Sequence, residues 1–87
     1  MKKDWRDVAV ILLVMEHADI DDRNPDRVAA LTGMDKERCK SLIFGLTDKG
    51  FLLNPLPSYF TVGFRQIPAG LSKIMKEIGP VVKTMIR

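Results

Sequence analysis

The stretch Asp35-Lys36-Glu37-Arg38-Cys39-Lys40-Ser41-Leu42-Ile43-Phe44-Gly45-Leu46-Thr47-Asp48-Lys49-Gly50 reads as one helix with both ends marked. Asp35 has a carboxylate able to accept from a first-turn amide that has no partner inside the helix, so it suits the N-cap. Lys49-Gly50 suits the end, with Gly50 at the left-handed position that a side chain would strain. Between them Cys39, Leu42, Ile43 and Leu46 recur at helical spacing and share one face. The other face carries Glu37, Lys40, Ser41, Phe44 and Asp48, flanked by Lys36 and Arg38.

On the N-terminal side, Thr32-Gly33-Met34 is a tight turn, and before it a second short helix is expected over 24–32. Asn24 caps it, Pro25 takes the first helical position where its missing N–H costs nothing, and Asp26 complements the helix dipole. Val28, Ala29 and Leu31 supply its buried side. Two helices joined by so short a glycine-containing turn form the helix-turn-helix pattern. The aspartate-dense run Ala18–Arg23 has part of a calcium-loop pattern, but the loop glycine and closing glutamate are missing, so it reads as a solvated turn.

The first helix is expected over 4–17. Trp5, Val8, Ile11, Leu12 and Met15 make one apolar face; Val10, Leu13 and Val14 make a second, nearly opposite one. A helix apolar on both sides is covered on both sides. The second cover is either the C-terminal helix or another subunit, which makes Val10, Leu13, Val14, Val82 and Met85 the expected dimer interface.

On the C-terminal side, Phe51–Leu53 is a short apolar strand. Asn54–Ser58 reads as a turn, because its prolines cannot donate to a ladder. Tyr59–Ile67 returns as a strand, with Tyr59, Thr61, Gly63 and Arg65 on one face and Phe60, Val62, Phe64 and Gln66 on the other. The hairpin therefore spans 51–67. A last helix over 69–86 carries Leu71, Ile74, Met75 and Ile78, then Val81, Val82, Met85 and Ile86, with a break expected at Gly79-Pro80.

The 87 residues suit a single domain of mainly α class with a small β-hairpin (α+β). At 46% apolar and 29% charged the chain is globular in composition. Its formal net charge of +3 is unevenly spread. Residues 1–23 carry four basic and six acidic side chains, whereas residues 51–87 carry five and one. The single cysteine excludes an intramolecular disulfide and fits a reducing, cytoplasmic setting. No run approaches the apolar length of a membrane span. Met1-Lys2-Lys3 resembles the start of a secretory leader, but Asp4, Arg6 and Asp7 interrupt it and the following apolar run is minimal.

The order helix, helix, turn, helix, hairpin, helix resembles the winged helix-turn-helix of bacterial and archaeal regulators of the MarR and ArsR kind, here with an extra C-terminal helix. The residues that carry the likeness are Val28-Ala29 and Leu31 in the second helix and Gly33-Met34-Asp35 at the turn and cap. Cys39, Ile43 and Leu46 fall on the buried positions of the third helix. Lys49-Gly50-Phe51-Leu52 lies where that helix gives way to the wing, and Ile67–Gly70 at the junction into the last helix. The likeness spans about residues 5–78 and consists mostly of core and turn positions, which speak to fold more than to function.

The resemblance implies a DNA-binding transcriptional regulator, with residues 35–49 as the recognition helix in the major groove of double-stranded DNA and a homodimer setting half-site spacing. Lys36, Arg38 and Lys40 would meet phosphates. Glu37 and Ser41 would reach base edges, Phe44 would pack on a thymine methyl, and Arg65 would add a phosphate contact. The sequence departs from that pattern in three ways. The expected wing tip, residues 54–58, has no cation; Phe44 lies in the reading face; and Glu37 and Asp48 repel phosphate. These departures favour an alternative, a winged-helix protein-interaction module that docks a partner through Phe44.

An enzyme is not expected. His17 lies on a packing face, Cys39 on the buried stripe, and no glycine-rich phosphate loop is present. One cysteine and one histidine cannot fill a metal shell, so neither metal nor cofactor is expected.

Overall fold

The computed structural model describes residues 2–63 and 65–86; the side chain of Lys2 is not among the described groups. Among these residues the chain forms four α-helices and one two-stranded antiparallel sheet: α1 (Trp5–His17), α2 (Pro25–Thr32), α3 (Lys36–Asp48), β1 (Leu52–Leu56), β2 (Tyr59–Val62) and α4 (Ala69–Met85). One-turn 3₁₀ segments precede α1 at Lys2–Asp4 and link α1 to α2 at Ile20–Asp22.

The local signals of α2 and α3 act as their chemistry dictates. Asn24 Oδ1 accepts from the Arg27 amide at 3.0 Å, and Asp35 Oδ2 accepts from the Arg38 amide at 2.9 Å. Gly33 closes α2 at φ 74°, its amide donating to the Ala29 carbonyl. Past Lys49, Gly50 adopts φ 82° and donates to the Thr47 carbonyl, while the Phe51 amide donates to the Leu46 carbonyl. This crossed pair is a Schellman closure, which satisfies helix-end carbonyls and needs the left-handed residue that only glycine adopts cheaply.

The core lies between α1 and the other elements. Val8, Ile11, Leu12, Val14 and Met15 of α1 are buried, together with Val28, Cys39, Ile43, Leu46, Leu52, Phe60, Leu71 and Val82. Burying an aliphatic side chain of this size contributes about 1.5–3 kcal/mol before conformational entropy is charged against it. Both apolar faces of α1 are used within one chain, because α4 packs along it. The Trp5 ring lies against Gly70 so closely that a Cβ there would fall 2.6 Å from its Cζ3 atom.

The hairpin departs from expectation at both strands. β1 runs on through Asn54 and Pro55 to Leu56, leaving only Pro57-Ser58 as the turn. The register pairs Leu53 with Thr61 and Leu56 with Tyr59, so β1 spends one more residue than β2 over that interval. Such a bulge leaves its extra residue unpaired, and a proline there forfeits no ladder bond. The Asn54 amide nitrogen donates to the Leu56 and Tyr59 carbonyls and clips the tip together. β2 stops at Val62 rather than Ile67. Gly63 instead donates to the Phe51 carbonyl at 2.9 Å and lies so near Gly50 that a Cβ would sit 2.4 Å from the Gly50 oxygen. The expected place of Phe64 in that strand lies outside the described residues. The Phe60 amide donates to the Arg23 carbonyl at 2.8 Å, and Arg23 Nε donates to the Ala18 carbonyl at 2.7 Å, which ties the hairpin to the α1–α2 link.

The break expected at Gly79-Pro80 does not occur: α4 is continuous, with Pro80 inside it. Pro80 and Lys76 are both exposed, so the carbonyl that loses its donor at Pro80 lies on the water side. Meanwhile Ile78 and Val82 are buried, and α4 packs along α1.

Candidate nucleic-acid interface

The outer face of α3 presents Lys36, Glu37, Lys40 and Ser41 to solvent, followed by Phe44 one turn further on. Lys36, Glu37 and Lys40 line one side of an open groove of about 570 Å³. Asn24, Pro25 and Asp26 at the start of α2 and the hairpin turn Pro57-Ser58 complete its lining. The lining is predominantly polar in character, as a surface meant to stay wet would be. Lys36 Nζ lies 3.3 Å from Asp26 Oδ1, but both groups are largely exposed, so water and salt screen the pair and it holds little energy.

Arg38 is not part of this face. Its guanidinium turns toward α1, with Nη2 donating to Asp4 Oδ1 at 2.5 Å and Nη1 donating to Asp7 Oδ2. Expected to meet phosphate alongside Lys36 and Lys40, Arg38 is in this conformation turned away from them, with one donor on each of two carboxylates. Asp4 makes no side-chain capping bond to α1, because its carboxylate serves Arg38.

Phe44 is 47% exposed and meets Phe60 of β2 edge-on, with ring centroids 6.2 Å apart. It is thus a bridge between α3 and the hairpin whose free half faces solvent. Leu53 and Leu56 of β1 are exposed as well, at 39% and 55%. Arg65 is exposed, and its aliphatic stem lies over Gly50 at the end of α3, with Cδ 3.4 Å from where a Cβ on Gly50 would stand. The structure therefore brings Lys36, Glu37, Lys40 and Ser41 together, puts Phe44 beside them, and sets Arg65 at the helix's other end.

Of the residues expected at a dimer interface, Leu13, Val14 and Val82 are buried within the chain. The α1–α4 packing covers them, so they offer nothing to a second copy in this conformation. Val10 is partly buried and Met85 is 38% exposed; with Met34 and Arg6 they line a separate shallow groove beside the α2–α3 turn.

Cys39 is fully buried, with its thiol 3.7 Å from the Pro25 carbonyl. Burial, reinforced by the nearby Asp7 carboxylate, pushes its pKa up to about 11. A thiol held protonated in this way packs and does not attack. His17 sits beside Glu16, with Nε2 3.5 Å from Oε1, on the rim of a groove between α1 and α4. Among the described residues, no group of three or more His, Cys, Asp or Glu side chains could hold a metal ion, and no helix is long and apolar enough to cross a membrane.

Sequence reasoning missed two features of this surface, the Arg38–Asp4–Asp7 cluster and the groove between α2 and the hairpin turn. A local signal for the first existed: Asp4 and Asp7 are three apart and so share one face of a helix. Comparison with known proteins finds no matching family model, no matching curated protein and no matching solved structure.

Proposed function

We propose that the chain is a winged-helix DNA-binding regulator that lays α3 in the major groove of double-stranded DNA. The observation that carries this reading is the exposed stripe of Lys36, Lys40 and Ser41 on a helix capped by Asp35 and set off from α2 by a glycine turn. Lys36 and Lys40, one turn apart on the exposed face of α3, meet phosphates, and Arg65 reaches another from the hairpin side. Ser41 and Glu37 address base edges, glutamate as an acceptor for cytosine N4. In a homodimer, only Val10 and Met85 of the expected interface residues remain able to meet the second copy. The test is duplex binding by Lys36→Ala and Lys40→Ala. Each substitution should weaken binding to all sequences and flatten the log–log salt slope by about 0.9 per bound protomer. Unchanged affinity in both would remove α3 from the interface.

One observation favours a second reading, a protein-docking module on the same scaffold. Phe44, Leu53 and Leu56 are exposed apolar groups, and the hairpin tip beside them bears no cation. A folded chain that binds no duplex at low salt would move the assignment to this surface.

A further inference from the structure

We propose that Arg38 is a positioning residue, which locks the rotation of α3 by fastening it to the first turn of α1; this rests on the DNA-binding reading above. Among the described residues, the other ion pairs span shorter stretches of chain: Glu16 with His17, Asp22 with Arg27, and, across the α2–α3 turn, Asp26 with Lys36, which is largely exposed. Among these pairs, Arg38 makes the longest crossing, to partners 31 and 34 residues away.

The geometry suits a lock. Cys39, Ile43 and Leu46 bury the inner face of α3 and decide which side meets the core, but apolar contact is non-directional and fixes the angle less sharply than a directional bond does. A guanidinium is a planar fork with fixed donor directions, and here each terminal nitrogen serves a different carboxylate. Asp4 and Asp7 stand one helical turn apart at the N-terminal end of α1, so the fork is held along two lines. Arg38 lies beside Asp35, Lys36 and Glu37, so its tether acts on the first turn of α3, one turn before Lys40. The side chains involved are between 26% and 41% exposed, so the cluster orders the surface more than it stabilises the fold.

A phosphate-contacting arginine and a positioning arginine predict opposite results. The experiment is duplex-DNA affinity and salt slope for the wild type, Arg38→Ala, Arg38→Lys and the double variant Asp4→Asn/Asp7→Asn. A charge-matched control is Asp19→Asn/Asp21→Asn, and thermal melts confirm that each chain is folded. If Arg38 positions α3, Arg38→Lys keeps the charge but loses the fork and behaves like Arg38→Ala, each binding about three- to tenfold more weakly with an unchanged salt slope. Asp4→Asn/Asp7→Asn then binds more weakly than its charge-matched control. If Arg38 meets phosphate, Arg38→Lys binds within about twofold of wild type, and Arg38→Ala flattens the slope by about 0.9 per bound protomer. The freed arginine then makes Asp4→Asn/Asp7→Asn bind more tightly than the control. That second pattern overturns the role proposed for Arg38 and leaves the DNA reading standing. A folded wild type that binds no duplex overturns both.

Discussion

Cys39 shows how much one buried side chain can be asked to report. Its thiol is shut inside the core with a pKa near 11 against an ordinary 9.0. In the folded protein it should resist a thiol reagent at pH 8 and react at once when denaturant is added; fast modification of the native chain would mean that α3 does not pack as described. The raised pKa also has a sign. Between pH 9 and 11 the unfolded chain releases the proton and the folded chain keeps it, so the stability that is fully present below pH 9 is lost as pH rises through 11. The expected loss is on the order of 2 kcal/mol, read from denaturant midpoints across that range and absent in Cys39→Ala. At the same scale, Asn24→Ala should cost about 1 kcal/mol, since it removes the acceptor for the Arg27 amide at the head of α2.

The elements differ in how far their own residues specify them. α2 and α3 carry their start and stop signals within themselves, and Asn24, Gly33, Asp35 and Gly50 took the roles that their side chains, or the lack of one, allow. The hairpin and α4 were less legible, because each contains a proline whose local meaning is a break. Pro55 is tolerated because it falls in a bulge of a two-stranded sheet, and Pro80 because it is exposed while its neighbours Ile78 and Val82 are buried and α4 packs along α1. Neither circumstance is visible in the neighbouring residues. Replacing Pro80 with alanine restores a helical donor and relieves the clash with the preceding turn, so Pro80→Ala should raise stability by about 1–3 kcal/mol. A lower melting temperature would mean that Pro80 sets a bend on which the α1–α4 packing depends.

At the scale of the whole molecule, the second apolar face of α1 finds its cover in the same chain. Leu13, Val14 and Val82 were legible as residues in need of a partner, but periodicity cannot say whether that partner comes in cis. Leu13→Glu therefore places an unpaired charge in the α1–α4 seam, and it should unfold the chain or cost more than about 3 kcal/mol. A folded monomer derived from a wild-type dimer would instead put Leu13 at a subunit boundary. The candidate site was legible in part for a related reason. Lys36, Lys40 and Ser41 lie on the outer face of a helix whose inner face is apolar, which one segment reveals. The capture of Arg38 by Asp4 and Asp7 depends on how that segment docks on another.

The most direct test of the account is fluorescence anisotropy of a labelled random duplex, titrated with folded protein at several salt concentrations. With Lys36, Lys40 and Arg65 each displacing counterions, binding should weaken along a log–log slope of about −3 for one protomer and about −5 for a dimer. A folded chain with no binding at low salt would contradict the account and leave the exposed Phe44 surface as the site to pursue.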